Sequence, residues 1–513
     1  MGLPDLYPAQ VGSPYTTLAA PYTTGEATMT VVDATKLPDA PNIVCLAGSV
    51  SGEFRYSGKD GNILQGVAAL PGTPAATTWS AGTFAFRGIA AYDTNALQHR
   101  AAAVQAQIDV LSASNSPIIG IEWDTMSSSP TLTRIDALGH EIEAVDTTFF
   151  DRHPVFGGRW RCVRDRATGK ITYGANARGD GLILDGSAGD VLVRKPAYYC
   201  RFEFDDGTDL ARWWVSARPA AGFSLHPYYY MRGGGVPAPY MFSGAYEAYG
   251  LVYGGQFRLG SASGKQPVTG GVDYPDLPNS GRLNIGDAEL YASRISPGNA
   301  GCESFWGYCA DQLLMYIEYG TFDIQTALGK GIVDLSSGEG FAGKLTGADN
   351  IDSRLAENGT GTGDGVNGET PVCWRGIENP YGNVWKFIIG ANVNLNGDFR
   401  VIRRDGLGTL AGTLAEGSYE SGTGLPTTGG YISGLLHTDL AGVAFLPSAA
   451  AGSDSSYLCD YWYAPTGDRI LRAGGCWDAG RCAGPGCRHA DGAVSHSYRC
   501  DGTRVEFRPP EGA

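Results

Sequence analysis

Four cysteines and two histidines are concentrated in one polar stretch of the sequence: Cys476, Cys482, Cys487, His489, His496 and Cys500. Thiol and imidazole groups bind metal ions, form disulfides or contact other molecules. The cysteines are separated by five, four and twelve residues, which matches no usual zinc ribbon or finger, and the chain has no CxxC pair. We therefore predict no metal site and no cofactor. Whether these thiols are free or joined in local disulfides stays open.

The residues between these cysteines are polar and small. Asp478 to Asp501 contains no Leu, Ile, Phe or Met, so we expect it to bury little apolar surface. Gly474-Gly475 with Trp477 on one side and Gly502 to Phe507 on the other have the composition of structured segments. A rigid frame that presents polar, changeable side chains is typical of a recognition surface. The alternative is a solvent-exposed glycine-rich loop without a ligand.

We predict that the ligand-binding side chains come from these positions: Cys476, Asp478, Ala479, Arg481, Cys482, His489, Asp491, Gly492, His496, Tyr498, Arg499 and Cys500. Between them, Gly480, Ala483-Gly484-Pro485, Ala490 and Ser495 are expected to be fixed parts of the frame. No catalytic residue is predicted, because the chain has no GxSxG, HExxH or P-loop motif.

Composition limits the class of protein. The chain has 513 residues, 75 of them Gly, and a net charge of −15. Such a glycine and tyrosine content with many turn signals favours a β-rich fold, and the absence of a basic stripe argues against nucleic-acid binding. No apolar run is long enough to span a membrane, and MGLPDLYPAQ lacks the features of a signal peptide. We therefore expect synthesis in the cytoplasm and no membrane insertion.

The elements that must position the polar stretch are mostly short strands. Residues 1–92 are predicted to form a small β module, with strands near 28–32, 42–46, 53–56 and 82–87 and a hairpin turn at Lys59–Asn62. Residues 93–117 are predicted to form a helix and a linker. Asp93 is the expected N-cap, and Leu97, Val104, Ile108 and Leu111 recur at helical spacing.

The remainder is predicted to be an α+β, β-rich body in two domains, 118–289 and 290–513. Strands are expected at 118–123, 191–194, 198–204 and 211–215, with a strand pair within 246–253. A helix is expected at 303–319, ending at Gly320 as a C′ glycine, and 357–370 reads as a flexible loop.

Three segments together carry a family resemblance: Trp374–Phe387, which contains Gly382-Asn383-Val384-Trp385, then Gly474-Gly475-Cys476-Trp477, and Thr503-Arg504-Val505. They resemble the variant of the C-type lectin fold shared by formylglycine-generating enzymes and by variable proteins of diversity-generating retroelements, of the phage tropism-determinant type. The resemblance covers residues 290–513 and implies a variable region at 474–504. It also implies that Gly-Asn-Val-Trp lies on a core strand and that Gly-Gly-x-Trp opens the ligand-facing strand.

Two further groups of segments are similar to parts of phage tail proteins. Gly120–Asp124, Leu132–Ile135, Phe223–Pro227 and Gly244–Glu247 resemble the body of tail proteins that carry this domain. Leu6–Val11, Tyr56–Lys59 and Ala90–Asp93 resemble the virion-attachment module of tail fibres. The resemblances imply a tail adhesin of a phage or prophage virion, trimeric, attached to other tail proteins by residues 1–92 and binding a host cell-surface receptor, a protein or a glycan.

The variable-protein resemblance implies a coding rule that the sequence can test. In that family, adenines of AAY codons are randomised to give NNY codons, which cannot encode Lys, Gln, Glu, Met or Trp. None of these five occurs between Asp478 and Asp501, an absence that composition alone would give roughly one time in ten. The ten residues that stand where the template Asn would be expected are all reachable by NNY codons: Asp478, Ala479, Arg481, Cys482, His489, Asp491, Gly492, His496, Tyr498 and Cys500.

A catalytic alternative uses the same fold. In formylglycine-generating enzymes two cysteines after Gly-Gly-Ser-Trp/Tyr hold copper, and Cys482 and Cys487 have the same four-residue separation. Cys482 lies further from the Trp477 motif than in that family, and the Arg/Tyr-rich run after the second cysteine is missing. A virion structural protein without diversification is the other alternative. We predict a binding protein and not an enzyme.

Overall fold

Short strands dominate both parts of the chain. The computed structural model describes residues 15–37, 39–47, 50–87, 118–142, 145, 148–270, 282–335, 361–362 and 368–509. Two units, Met1–Asp109 and Val110–Ala513, divide the molecule. The predicted helix and linker at 93–117 and most of the predicted loop at 357–370 lie outside the described residues. Within the described residues, no helix is long and apolar enough to cross a membrane.

The described residues of the first unit form ten strands and a short 3-10 helix at Ala34–Lys36. The strands are β1 (Tyr15–Thr17), β2 (Tyr22–Thr23), β3 (Thr28–Thr30), β4 (Asn42–Ala47), β5 (Ser51–Tyr56), β6 (Gly58–Asp60), β7 (Ile63–Gln65), β8 (Ala68–Ala69), β9 (Thr78–Trp79) and β10 (Phe84–Arg87). They form a sheet of order β1-β10-β4-β5-β8, a sheet of order β3-β7-β6 and the pair β2-β9. The predicted strands and the hairpin turn between β6 and β7 are confirmed.

Alternating burial along strand β5 explains how its side chains pack in the core of the first unit. In β5 every second residue is buried, and Phe54 packs edge-to-face on Trp79 with ring centroids 5.3 Å apart. Gly52 is required on the same face, because a Cβ there would lie 2.8 Å from the Trp79 ring. This period-two pattern is what a half-buried strand needs.

The first part of the second unit, as far as residue 261, consists mainly of strands, with one short helix and one 3-10 helix among its described residues. In chain order they are β11 (Ile118–Asp124), β12 (Thr133–Ile135), α1 (Phe149–Arg152), β13 (Trp160–Arg164), β14 (Ile171–Tyr173), β15 (Asp190–Pro196), β16 (Tyr199–Asp205), β17 (Leu210–Ser216), β18 (Ser224–Leu225), a 3-10 helix at Pro227–Tyr230, β19 (Tyr240–Gly244), β20 (Ala248–Tyr253) and β21 (Gln256–Ser261). Strands at the four predicted positions are confirmed. Within 246–253 there is one strand, β20, and its partner β21 follows it.

The second unit continues with the longest helix and the strands that surround it. These elements are α2 (Ile285–Ser293), β22 (Ala300–Cys302), α3 (Phe305–Tyr319), α4 (Ile324–Ala327), β23 (Gly361–Thr362), β24 (Val372–Trp374), β25 (Ile377–Glu378), β26 (Trp385–Val393), β27 (Phe399–Ile402), β28 (Tyr419–Gly422), β29 (Gly430–Tyr431), β30 (Gly434–Leu435), α5 (Asp439–Ala444), β31 (Pro447–Ala449), β32 (Tyr461–Tyr463), β33 (Arg469–Ala473), a 3-10 helix at Gly480–Cys482, β34 (Arg488–Gly492), β35 (Asp501–Gly502) and β36 (Val505–Phe507). The fold class is therefore β-rich α+β.

Helix α3 forms where the sequence predicts it, and both of its caps have a physical reason. The Ser304 hydroxyl accepts a hydrogen bond from the backbone N–H of Gly307 at 3.2 Å, and Gly320 ends the helix in the left-handed region at φ 64°. Every residue from Phe305 to Ile317 is buried. The helix is therefore part of the centre of the second unit's largest hydrophobic cluster, where Trp306 donates to the carbonyl of Ile402 at 2.8 Å.

Strands from distant parts of the chain share sheets in the second unit. One sheet has the order β14-β13-β15-β19-β36-β22, and it joins strands between residues 160 and 244 with strands near 301 and 506. A second has the order β12-β11-β17-β16-β18. The predicted boundary between 289 and 290 thus falls inside one compact unit, because β36 pairs with β19 from one side of that boundary and with β22 from the other.

Candidate binding surface

The segment from residue 476 to residue 500 starts and ends on opposite sides of one strand. The sheet that carries it has the order β28-β27-β26-β33-β34-β32-β29, and β35 pairs with β26. At Lys386 in β26, Ala473 of β33 lies on one side and Gly502 of β35 on the other. Both ends of the segment are therefore held by the same strand, which is what a fixed frame requires.

The Gly-Gly-x-Trp motif ends a strand instead of opening one. Strand β33 stops at Ala473, and Gly474 and Gly475 have φ of 89° and 79°. Side chains rarely adopt these angles, and a Cβ on Gly475 would lie 2.6 Å from that of Ala483. The expectation that this motif opens the ligand-facing strand was wrong, because two consecutive left-handed residues turn the chain out of the sheet.

Arg472, at the end of β33, connects the frame to the segment. Its guanidinium donates to Asp501 Oδ1 at 2.7 Å, forms an ion pair with Asp491 and lies 5.2 Å from the Trp385 ring centroid. Burial alone would raise the pKa of Asp491, but the guanidinium outweighs it and the pKa lies below its usual value. Asp501 also pairs with His496 at 2.8 Å. These contacts fix β34 and β35 relative to β33.

Two more buried arginines hold the frame through backbone carbonyls. Arg488 donates to the carbonyl of Ala444 at 2.6 Å and to Gln312 Oε1, with Phe305 below its guanidinium. Arg504 donates to carbonyls far away in the sequence, those of Gly244 at 2.9 Å, Glu378 at 2.6 Å and Asn379 at 3.0 Å. A buried guanidinium is tolerated because its terminal Nη groups donate to these carbonyls and to Gln312.

The middle of the polar stretch is buried, which corrects the expectation of little burial there. Residues 483–488 are all buried, and Asp460 accepts a hydrogen bond from the backbone N–H of Gly486 at 2.6 Å. Small residues allow this approach: a Cβ on Gly484, at φ 150°, would collide with the Asp460 carboxylate. The composition lacks large apolar residues because backbone, not side chains, fills this part of the core.

The twelve predicted contact residues differ in how exposed they are to solvent. Two are exposed, Asp478 and Tyr498. Seven are half-buried: Ala479, Arg481, Cys482, His489, Asp491, His496 and Arg499. Three are buried, Cys476, Gly492 and Cys500, so they offer little accessible surface for contact. Ala493 and Val494, which were not predicted as contacts, are exposed, and so is Ser495, which was predicted as part of the frame.

Arg481 and Cys482 are attached to the body of the unit. The Arg481 guanidinium donates to Asp323 Oδ2 at 2.9 Å and to the carbonyl of Asp454 at 2.6 Å. The Cys482 thiol lies 3.4 Å from the Tyr431 hydroxyl. Both side chains therefore join the surface to its surroundings as well as lying on it.

His489 lies in an aromatic enclosure that sequence reasoning missed. Its ring centroid is 4.6 Å from Trp385, 5.6 Å from Tyr461 and 6.0 Å from Tyr463. Burial lowers the pKa of His489 to about 4. The available signal was the Tyr461-Trp462-Tyr463 alternation: in strand β32, Trp462 is buried, while the two tyrosines face the partly exposed side.

The cysteines do not form a metal-binding arrangement within the described part of the chain, where no group of three or more His, Cys, Asp or Glu side chains is placed to hold an ion. A copper site of the alternative type would need Cys482 and Cys487 as thiolates. Cys487 is fully buried, and burial raises the pKa of its thiol well above the usual value. Burial therefore favours the neutral thiol at Cys487 in this structure.

Comparison with known proteins gives distant structural similarities. No family model and no curated protein matches the sequence. The chain is similar to PvdO from Pseudomonas aeruginosa, with 14% identity, coverage of 64% of this chain and 98% of PvdO, and a TM-score of 0.25. It is also similar to the U1 variant of Major Tropism Determinant, with 11% identity, coverage of 68% and 72%, and a TM-score of 0.23. For the M1 variant the identity is 10%, the coverage 68% and 71%, and the TM-score 0.23.

Proposed function

We propose that this protein is a receptor-binding adhesin of a phage or prophage tail and that it acts by binding, not by catalysis. In this proposal a C-type lectin-like frame within residues 290–513 displays a diversified surface formed by residues 476–500. The observation that carries it is the division of that stretch into buried, densely bonded frame residues and exposed side chains at Asp478 and Tyr498, with Arg481 and His489 half-buried between them. A surface that changes its side chains without changing its fold needs this division.

The frame supports the proposal because its stability does not depend on the outermost side chains. The terminal Nη groups of Arg488 and Arg504 donate to backbone carbonyls and to Gln312, all outside the 476–500 segment. Backbone carbonyls remain present whatever side chains their residues carry. Substitutions at positions such as Asp478 and Tyr498 therefore leave these contacts in place, and the surface can vary while the strands below it persist.

The surface offers chemistry for a polar receptor. Tyr461 and Tyr463 supply ring faces, Tyr498 is 53% exposed, and Arg481 and Asp478 supply charge. Aromatic rings beside hydrogen-bonding groups suit a protein or a glycan of the host envelope. A small polar patch binds weakly as a single copy, so we propose trimers and several fibres per virion, which raise avidity by effective concentration. The first unit then joins the adhesin to other tail proteins.

Sequencing the gene across independent isolates of the same source tests diversification. We expect substitutions to accumulate at the codons of exposed and half-buried positions between Asp478 and Arg499, while Gly474, Gly475, Arg488 and Arg504 stay fixed. The codons of Ala483 to Gly486 serve as the internal control, since they lie in the same stretch but are buried. A stretch that is invariant throughout, or one that varies equally at buried and exposed codons, would contradict a diversified surface.

A binding assay tests adhesion itself. The labelled full chain is applied to a panel of bacterial strains from the source, and Tyr498→Ala is expected to reduce attachment about tenfold or more, since buried interface tyrosines commonly contribute 1–2 kcal/mol or more. Tyr173→Ala is the matched control, because Tyr173 is 44% exposed on β14, outside the proposed surface. Equal attachment by both variants, or attachment by neither wild type nor variants, would count against the proposal.

A further inference from the structure

Cys476 and Cys500 lie in the same small buried cluster, together with Trp385, Trp477 and Cys487. The backbone brings them there from the two ends of the 476–500 segment. The N–H of Trp477 donates to the carbonyl of Asn383 at 2.9 Å, and the N–H of Trp385 donates to the carbonyl of Cys500 at 2.7 Å. Because Asn383 and Trp385 are two residues apart, the chain next to each cysteine is anchored at almost the same point.

The two thiols lie close enough to influence each other's protonation. The effect of Cys500, followed by burial, raises the pKa of Cys476 well above the usual thiol value. The Cys476 thiol is further oriented by Asp478, whose Oδ1 is 3.0 Å from its sulfur. Two cysteines that share one small buried cluster, with adjacent backbone anchored two residues apart, are placed where a disulfide can form.

We propose that Cys476 and Cys500 are a modification site: they form a disulfide that closes the 476–500 segment once the protein leaves the reducing cytoplasm. Both cysteines are free in the structure, which corresponds to the reduced state. The bond would convert an anchored segment into a covalently closed loop of about 25 residues, which restricts the unfolded chain. This inference goes beyond receptor binding and does not depend on it.

The reaction balances with a disulfide oxidant such as oxidised glutathione. One protein thiolate attacks the oxidant, one molecule of reduced glutathione leaves, and the second protein thiol displaces the other. Two S–H bonds are lost from the protein and one S–S bond forms. The two electrons reduce the oxidant's disulfide, and the two protons end on the two glutathione thiols. Since both sulfurs are buried and Cys476 holds its proton, we expect oxidation to be slow and to follow local opening.

The competing pair is Cys482 with Cys487. These two thiols are close enough to influence each other's charge, but Cys482 is half-buried beside the Tyr431 hydroxyl and Cys487 is enclosed in the core. The bond between Cys482 and Cys487 would close only a few residues, whereas a Cys476–Cys500 bond spans the whole segment. The two alternatives therefore differ in the peptides joined and in the stability gained.

The test uses the full chain, incubated with oxidised or reduced glutathione, blocked with an alkylating reagent and mapped by mass spectrometry. We expect one cross-linked peptide pair containing Cys476 and Cys500, lighter by two hydrogen atoms, and a melting temperature about 5 °C higher than in the reduced protein. Cys476→Ser and Cys500→Ser should abolish that redox-dependent difference, and Cys482→Ser, the matched control, should keep it.

Several outcomes would overturn the inference: free thiols at Cys476 and Cys500 after oxidation, a Cys482–Cys487 bond in their place, or only mixed disulfides with glutathione. Because the readout is a difference between oxidised and reduced samples of the same variant, a general loss of stability in a serine variant does not obscure it. No receptor is present in this experiment, so its result stands apart from the outcome of the adhesion assay.

Discussion

Side chains on the proposed binding surface differ in how strongly the fold depends on them. Arg481 ties the surface to Asp323 and to the backbone of Asp454, whereas Tyr498 is 53% exposed at the edge of the segment. A residue with several partners in the body of the unit contributes to stability as well as to recognition. Substitution is therefore expected to reduce the free energy of unfolding less at Tyr498 than at Arg481.

Replacing Arg481 with Ala should lower the free energy of unfolding by about 1–2 kcal/mol, because Asp323 and the Asp454 carbonyl lose a charged donor. Tyr498→Ala should change it by less than about 0.5 kcal/mol. Urea denaturation at constant pH measures both. Equal stabilities of the two variants would show that the Arg481 contacts are replaced by water at no cost.

Acid should weaken the second unit through His489 and His226. Burial lowers their pKa values to about 4 and about 3, below the unfolded value near 6.5, so the unfolded state binds more protons between these limits. The contribution of the two neutral histidines to stability is thus fully present above pH 6.5 and falls as the pH decreases, by about 2 kcal/mol per histidine at pH 5.

We expect His489→Asn to lose less stability than wild type between pH 7 and pH 5 in denaturant titrations. An identical loss in both proteins would mean that His489 is not kept neutral by the fold.

At the scale of elements, the turn between the 3-10 helix at Gly480–Cys482 and strand β34 depends on close backbone approach. Gly484 lies against the Asp460 carboxylate, and Gly486 donates to that same carboxylate. Burial raises the pKa of Asp460 well above its usual value. The turn and the buried carboxyl therefore form one packing unit beneath the proposed binding surface.

Gly484→Ala should destabilise the second unit by about 3 kcal/mol or more, since the new methyl group combines a strained φ with a collision. Gly417→Ala is the matched control, with a positive φ of 82° but open space around its Cβ, and should cost about 1 kcal/mol. Thermal unfolding of both variants measures the difference. A loss at Gly484 no larger than at Gly417 would show that Asp460 moves aside freely.

Elements with local signals were predictable from the sequence, and those held by distant contacts were not. Strands β4, β5 and β15–β17 show apolar and β-branched residues at regular spacing, and helix α3 carries its own caps. Strand β34 has no such signal, because Arg488 to Gly492 is polar and small and is held by Arg472 and by pairing with β32 and β33. The exposed side chains of the segment followed from composition. The burial of Cys476 and Cys500 did not, since it depends on where β26 passes.

At the scale of the whole molecule, the hydrophobic clusters of the described residues each stay within one unit. The cluster around Phe54 and Trp79 contains only residues of Met1–Asp109, and the cluster around Trp306 contains only residues of Val110–Ala513. A unit with its own core can fold by itself. The two proposed tasks, attachment to the virion and binding of the host, are thus expected to be separable.

A chain consisting of residues 110–513 should unfold in one cooperative transition and bind the same bacterial strains as the full chain. Residues 1–109 should not compete for that binding. Calorimetry and a competition assay on bacteria measure the two expectations. Competition by residues 1–109 would move the receptor contact to the first unit.

Strand β36 is an interior strand, with β19 on one side and β22 on the other, and Arg504 just before it is bonded to carbonyls across the unit. The exposed turn Ala493–Ser495 is the natural place for a protease to cut near it. Cleavage there would cut the chain, but strand β36 in the C-terminal fragment would stay paired with β19 and β22 in the sheet. The protein would then run as two pieces on a reducing denaturing gel and as one particle in solution, and the proposed binding surface would stay in place after cleavage.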